Sequence, residues 1–423
     1  MQLQMDGACP YINIDMLIGI DDTDSPAGMC TTYLGAVLAR RLIHDHMRVR
    51  EARLVRLNPN VTFKTRGNAA IALDVEGDPE QGFALACAIV EELADFSCGK
   101  TNPGVVVVES RPDPAFYRQA VTDFCEIDEA VNILDRAGAR YKGWKNRRGL
   151  IGATAAVASA FPDTTYEILT YRESSRWGTK REVDRESLFT SEEATYPHTW
   201  DTVDFTNQVV VCVPHTPDPV LFGIRGESPS WIMMARSAIA SEKPALEQIW
   251  VTNQGTDAHL LPGTCGSLCE GLSYCVQGIV TASPKTTIGG HVSFSIRDGP
   301  AETRCMAYEP TKNFRNIVRG LVPGDRIMVV GSYKKESINL EKICLVSPAQ
   351  DIHVKAPVCA ACSRRMTSAG KDKGFKCRTC GARSKDAEVT EIPRTLSAGW
   401  YEVPPTARRH LAKPLCRGVP AIP

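Results

Sequence analysis

The sequence predicts a multidomain α+β protein, and three observations predict it. Residues 17–109 alternate apolar runs in the order β-α-β-β-α-β. From Ser273 to Val346 the chain breaks into five short alternating strands. Two Cys-x-x-Cys pairs, Cys359/Cys362 and Cys377/Cys380, follow close behind them. A chain of 423 residues has room for two to four such units.

Residues 1–15 read as an appendage. Met16 opens the buried run Leu17-Ile18-Gly19-Ile20, a strand without alternation and so covered on both faces. The next eight residues, Asp21 to Gly28, are loop by composition. Met29–His46 carries Tyr33, Leu34, Val37, Leu38 and Leu42 at helical spacing. Ala52–Leu57 and Ala69–Val75 are strands, Pro79–Phe96 a helix, and Val105–Glu109 a strand, which completes a split βαβ arrangement. Phe116–Ala137 adds helix and closes a first domain at 16–140.

A second α+β domain spans 141–262: an apolar helix over 150–161, strands over 165–171, 208–213 and 247–251, an element opening at Asp218, and a short helix over 235–240. The segment 172–206 is a polar stretch, and 260–268 reads as a linker. The strands over 274–281, 291–297, 304–308, 326–333 and 337–346 suggest an OB-type barrel at 272–348, a fold that commonly binds single-stranded nucleic acid. Residues 386–423 read as a C-terminal tail.

Two Cys-x-x-Cys knuckles at this spacing match a four-thiolate zinc site, Cys359, Cys362, Cys377 and Cys380, over 355–385. With all four positions filled by thiolate, the site is structural. So small a unit cannot bury a core, and the metal itself supplies its folding energy. Nine Lys and Arg between Lys355 and Lys385 mark it as an RNA-binding arm.

Charge separates along the chain. Residues 272–423 hold 24 Lys+Arg against 12 Asp+Glu, leaving 25 against 37 for the rest. A net charge of zero thus hides a basic third joined to an acidic two-thirds. No run reaches the ~18 apolar residues of a membrane span. Sixteen Cys without a secretion signal point to reduced thiols in the cytoplasm.

Asp21, Asp22 and Asp24 stand at the end of a buried strand. They repel one another and are best tolerated around a hard cation such as Mg²⁺, which would bridge nucleotide phosphates. Taken alone, such a triplet also suits a solvated turn. Gly28 precedes a helix start, where backbone N–H groups favour phosphate. Lys64-Thr65-Arg66-Gly67 is a basic turn, and Arg148-Gly149 places a cation and a glycine before an apolar helix. Gly28, Lys64, Arg66, Gly67, Arg148 and Gly149 are the candidate ATP contacts. No Walker-type loop is present, which disfavours a P-loop enzyme.

These strings occur in an order that resembles the archaeal tRNA-isoleucine agmatidine synthetase (TiaS) family. They are 19–25, 28–33, 64–68, 149–153, 221–226, 253–259 and 407–415, with the barrel and ribbon between the last two. The resemblance implies a kinase-like α/β domain, a ferredoxin-like domain, an OB-fold barrel and a zinc ribbon. It implies that agmatine is joined to C2 of the wobble cytidine of the AUA-decoding isoleucine tRNA (CAU anticodon). ATP is consumed, AMP is made, and the C2 oxygen is phosphorylated before the amine displaces it. It puts Asp21, Asp22 and Asp24 at the Mg²⁺–ATP site and makes Thr31 the threonine that the family phosphorylates on itself. Asp218 and Asp257 are offered as agmatine ligands because a guanidinium needs carboxylates. Two other classes compete with this reading: a non-catalytic RNA-binding protein, and a kinase with an RNA-binding module.

Overall fold

The computed structural model describes residues 15–64 and 67–420. Of the appendage expected over 1–15 only Asp15 falls within it, as the first residue of a strand, and Arg66 lies outside the described residues.

The first unit runs β1 (Asp15–Asp21), α1 (Thr31–His44), β2 (Arg48–Arg56), β3 (Ala69–Glu76), α2 (Pro79–Leu93), β4 (Gly104–Val108). Its sheet order is β4-β1-β3-β2 with every neighbour antiparallel, the split βαβ arrangement that the order of elements suggested. Helices α1 and α2 cover one face, packing Leu34, Leu38, Leu42 and Val90 on Ile18, Ile20 and Ile71. The helical stretch expected at 116–137 is two helices, α3 (Ala115–Thr122) and α4 (Ile127–Arg136). The second is opened by a capping box between Glu126 and Glu129.

The expected division at 140/141 runs through continuous structure. Strand β5 (Arg140–Gly143) pairs with β4, and helix α5 (Gly149–Val157) covers the second face of the first unit together with α3 and α4. The fit is close enough to need glycine. A Cβ on Gly19 would lie 2.3 Å from the Ala153 carbonyl oxygen, and one on Gly104 2.3 Å from the Gly149 carbonyl carbon.

The second unit contains β6 (Thr165–Tyr171), α6 (Arg185–Thr195), β7 (Thr199–Trp200), the hairpin β8 (Val203–Asp204) and β9 (Val209–Val210), β10 (Val220–Gly226), α7 (Pro229–Ala238) and β11 (Leu246–Thr252). Its antiparallel order is β11-β6-β10-β7, and β11 also pairs in parallel with β2. The two sheets therefore merge into one of nine strands among the described residues. Helix α6 lies inside the polar stretch 172–206, where the sequence suggested no element. It buries Leu188 with Ser191, Glu192 and Thr195, so its inner face carries almost no apolar signal. The strand expected at 208–213 shrinks to β9, and Val211 and Cys212 line a cavity instead.

The expected linker at 260–268 contributes a strand, β12 (Leu260–Gly263), parallel to β13 (Ser273–Val280). The chain continues through β14 (Lys285–Thr286), β15 (Val292–Asp298), β16 (Ala301–Ala307), α8 (Phe314–Arg319), β17 (Arg326–Lys334) and β18 (Ser337–Ser347). Pairings β13–β15, β15–β16, β16–β18, β18–β17 and β17–β13 close a five-stranded barrel. Its interior holds Val276, Phe294, Val329 and Ile343.

Beyond the barrel, β19 (Asp351–Lys355) and β23 (Glu388–Ile392) pair as a stalk for the small sheet of β20 (Thr367–Ser368), β21 (Phe375–Lys376) and β22 (Arg383–Ser384). The segment expected as a tail is built into the fold. Strand β24 (Gly399–Glu402) pairs with β18, and 403–420 then straps back across the first two units. Along the strap Leu411 is buried in the α5 core, and Arg417 bonds Asp163 at 2.9 Å and Glu227 at 2.5 Å.

Asp257 belongs to this clasp. Its carboxylate takes both hydrogen bonds from Lys342 Nζ, at 2.7 and 2.9 Å, and accepts the Lys413 N–H at 2.7 Å. The Lys342 side chain is 1% exposed, so removing its counter-ion strands a buried charge. Asp257→Asn is expected to lower stability by about 3–5 kcal/mol in urea titration.

Candidate active site and metal centre

Strand β1 delivers the acidic turn into a cleft. Asp21 is the last strand residue, and Asp22 follows with φ of 57°, a left-handed conformation that turns the chain out of the sheet. The turn is held from outside. The Asn102 N–H donates to the Asp22 carbonyl at 3.1 Å, and Thr101 Oγ1 to the Asp24 carbonyl at 2.7 Å.

Each carboxylate has a different surrounding. Asp21 lies against α5, where a Cβ on Gly152 would fall 1.8 Å from its Oδ2. Withdrawal from water and the neighbouring Asp22 hold its carboxyl well above the usual range. Asp22 pairs with Arg148 at 2.9 Å. Desolvation nevertheless outweighs that cation and pushes its carboxyl up to about 6. Asp24 Oδ1 accepts both the Thr31 N–H, at 2.5 Å, and Thr31 Oγ1, at 3.0 Å. It thus does the capping work at the start of α1, where the Cys30 side chain caps no backbone N–H. Thr23 Oγ1, fully buried, donates to Thr31 Oγ1 at 2.9 Å, so the Thr31 hydroxyl is held between two neighbours.

Asp21, Asp22, Asp24, Thr31, Lys64, Gly67 and Arg148 line one cavity of about 260 Å³. Phe63 stands at its edge under the Arg148 guanidinium, 5.4 Å from ring centroid to Cζ, within cation–π range. A second cavity of about 270 Å³ shares Asp24, Thr31 and Gly67 with the first and adds Glu167, Asp218, Arg225 and His410. Asp218 is buried in its wall, accepting the Val220 N–H at 3.0 Å and pairing with Arg181 at 3.4 Å.

Two glycine candidates sit behind these walls. Gly28, with φ of 149°, backs onto the Pro217 carbonyl, and Gly149 serves the contact with Gly104. Asp257 lines neither cavity, because Lys342 and Lys413 hold it at the barrel interface. The sequence reading assigned nothing to Arg56, Glu167, Arg225 and His410. Glu167 Oε1 lies 3.3 Å from Arg225 Nε, and its Oε2 accepts from Gln254 at 2.6 Å. The available signal was Glu167 itself, a lone charge inside an apolar strand.

In the ribbon, ligand atoms of Cys359, Cys362, Cys377 and Cys380 all lie within 4.8 Å of one another. The closest cross-knuckle pairs, Cys359–Cys380 and Cys362–Cys377, are 3.4 Å apart. Zn–S bonds of ~2.3 Å in a tetrahedron put sulfurs roughly 3.8 Å apart, so the four thiols fit one zinc ion. Each knuckle ends on a left-handed residue, Ser363 (φ 55°) and Gly381 (φ 78°), which curls the backbone around the sulfurs. Gly381 adopts that conformation at no steric cost.

Family models match three segments: the TiaS TCKD domain over 17–145, the TiaS FLD domain over 147–259, and the TiaS C-terminal zinc ribbon domain over 356–396. The isoleucine-tRNA 2-agmatinylcytidine synthetase TiaS of Methanocorpusculum labreanum is 56% identical over 403 residues, covering 95% of this chain and 97% of that protein. The chain belongs to the TiaS family. The TiaS of Methanosarcina mazei is 49% identical over the same 95% of the chain and 97% of its own length. A crystal structure of a TiaS bound to its isoleucine tRNA and ATP superposes with a TM-score of 0.89 at 41% identity, covering 96% of this chain and 97% of that one. A TiaS complex with the tRNA, AMPCPP and agmatine superposes at 0.86 with 39% identity and the same coverage.

Elemental analysis of this TiaS-family chain is expected to find one zinc per molecule. Chelation should raise hydrogen exchange across 356–396 and leave β1–β4 protected.

Proposed function

We propose that this chain joins agmatine to C2 of the wobble cytidine of the isoleucine tRNA with a CAU anticodon, consuming ATP and releasing AMP. The observation that carries the reading is the Thr31 hydroxyl, held by Asp24 at the junction of two acid-lined cavities. One cavity would take nucleotide phosphates and the other a cationic amine. The relatives named for this reaction match nearly the whole chain.

Within that reading, 16–140, completed by β5 and α5, is a kinase-like catalytic domain, supported by the acidic turn and Thr31. Residues 141–262 are a ferredoxin-like domain, supported by four antiparallel strands backed by α6 and α7. Residues 272–348 form an RNA-binding barrel of the OB type, and 355–385 a basic ribbon that grips the tRNA. The described helices include none long and apolar enough to cross a membrane, and the proposed compartment, the cytoplasm, rests on the reduced cysteines that the sequence suggests.

Asp21, Asp22 and Asp24 would hold Mg²⁺. Burial and the neighbouring Asp22 and Asp24 raise the Asp21 carboxyl, and Arg148 opposes them. A divalent cation would offset the negative charge gathered in this turn. Bound there, Mg²⁺ neutralises charge on the phosphates. Asp24 orients the Thr31 hydroxyl as the acceptor for self-phosphorylation. Lys64, Arg66, Gly67 and Arg148 bind phosphate oxygens. The C2 oxygen of cytidine leaves poorly until phosphorylated, and agmatine competes with water only if the cleft excludes it. Asp218, in the second cavity, is the agmatine candidate, whereas the Asp257 carboxylate is already bound by Lys342 Nζ and the Lys413 N–H.

Radiolabelled agmatine, Mg·ATP and the unmodified tRNA transcript should give labelled RNA with zinc-loaded protein. The absence of label would refute the proposal. Asp21→Asn should slow labelling by roughly 100- to 1,000-fold while tRNA affinity stays within about twofold. After incubation with Mg·ATP, mass spectrometry should find a phosphate on Thr31 that Thr31→Val lacks.

A further inference from the structure

A third cavity, of about 180 Å³, opens between residues 56–64 and 67–68 on one side and the C-terminal strap on the other. Its polar walls are Arg56, Lys64, Asn68, Arg409 and His410, with Gly67 at the back. Among the described residues that line it there is no carboxylate, whereas the two neighbouring cavities are rich in them. It adjoins both neighbours at Gly67, a residue common to all three.

The Arg56 guanidinium and the His410 ring close in on that glycine. A Cβ on Gly67 would lie 2.7 Å from Arg56 Nη1 and 3.5 Å from His410 Nε2. The histidine's tautomer follows from its partner. Arg225 Nη2 lies 2.7 Å from His410 Nδ1. A guanidinium can only donate, so Nδ1 accepts and the ring proton sits on Nε2. Burial, followed by Arg56, Arg225 and Lys64, holds this imidazole well below its usual pKa, so it presents a neutral N–H donor. Arg409 is anchored from outside by Asn60 Oδ1 at 2.8 Å and Glu341 at 3.4 Å, which fixes its guanidinium at the cavity wall. Arg56, Lys64 and Arg409 are donor-only, and the single acceptor of His410, Nδ1, is taken by Arg225.

We propose that this pocket binds a phosphate group of the substrates, with Arg56, Lys64 and Arg409 as its cations and His410 Nε2–H as its neutral donor, and that the C-terminal strap thereby completes the active site. Guanidinium forks and a point-charge lysine are the usual partners of phosphate oxygens. The phosphate can come from the RNA backbone beside the reacting nucleotide or from ATP. This inference rests on the function proposed above, but direct binding tests it whether or not agmatine is incorporated.

The test uses full-length, zinc-loaded K64Q, R409M, H410Q and H410L. Lys64 is exposed, so K64Q keeps the fold whatever happens at R409M. Unmodified tRNA transcript is titrated by filter retention across about 50–200 mM salt. Self-phosphorylation from Mg·ATP is measured in parallel without RNA. If the phosphate is the RNA's, each variant binds tRNA about 3- to 10-fold more weakly, and K64Q and R409M lower the salt slope by roughly 1. Self-phosphorylation by R409M, H410Q and H410L then stays at the wild-type rate. If it is ATP's, the KM for ATP rises by a similar factor while tRNA affinity holds. In either case H410Q, which keeps an N–H, is milder than H410L. Values within twofold of wild type for K64Q and both His410 variants in both assays overturn the proposal. Wild-type protein that binds tRNA but never incorporates agmatine would overturn the proposed function and leave the pocket standing.

Discussion

Helix α5 lies so close to β1 and β4 that only glycine fits between them, and the rest of the site depends on that contact. Gly19 faces the Ala153 carbonyl, Gly104 faces Gly149, and Gly152 leaves room for the Asp21 carboxylate. Backbone packed on backbone withdraws Asp21 from water. A carboxylate so placed either takes up a proton or finds a cation, which is why its pKa lies high. The same contact brings Arg148, one residue ahead of the helix, onto Asp22. One packing event thus sets the charge state of the acidic turn and fastens the first unit to the second.

A continuous sheet and a returning strap make the cleft a composite. Strand β11 joins β2 in parallel, so the two units share an unbroken ladder of hydrogen bonds. The strap then ties the barrel to both through Arg408 on Asp201, Arg417 on Asp163 and Glu227, and Leu411 in the core. Beneath it Glu341 is buried, and although burial alone would raise it, His259, Arg409 and Lys342 hold it down at about 2. A carboxyl depressed from its ordinary range stabilises the fold above about pH 4.5 and loses that contribution as pH falls towards about 2. The clasp is therefore fully engaged at neutral pH.

Features carried by neighbouring residues were legible in the sequence. The Met16–Ile20 run identified a strand buried on both faces, and the two Cys-x-x-Cys pairs identified a metal ribbon, because each signal lies within a few residues. The five barrel strands were equally plain, since each is short and alternating. Helix α6 was not legible, because its buried face carries Ser191, Glu192 and Thr195 where an apolar stripe would normally stand. Strand β12 hid in a Pro- and Gly-bearing linker, since a parallel edge strand needs a partner far more than a pattern.

The sequence alone determined the order of units, the acidic turn, the thiolate set and the separation of charge, all of which are properties of residue type and spacing. It could not decide which charges meet. Asp218 and Asp257 looked alike as isolated acids in polar loops, yet one lines a cavity and the other is locked to Lys342 of the barrel. His410, far along the chain from Gly67, reads as one basic residue in a tail until the strap seats it between Arg56 and Arg225. Only the tertiary structure settles such pairings, because an ionisable group acquires its partner, its protonation and its role from the surfaces that burial brings against it.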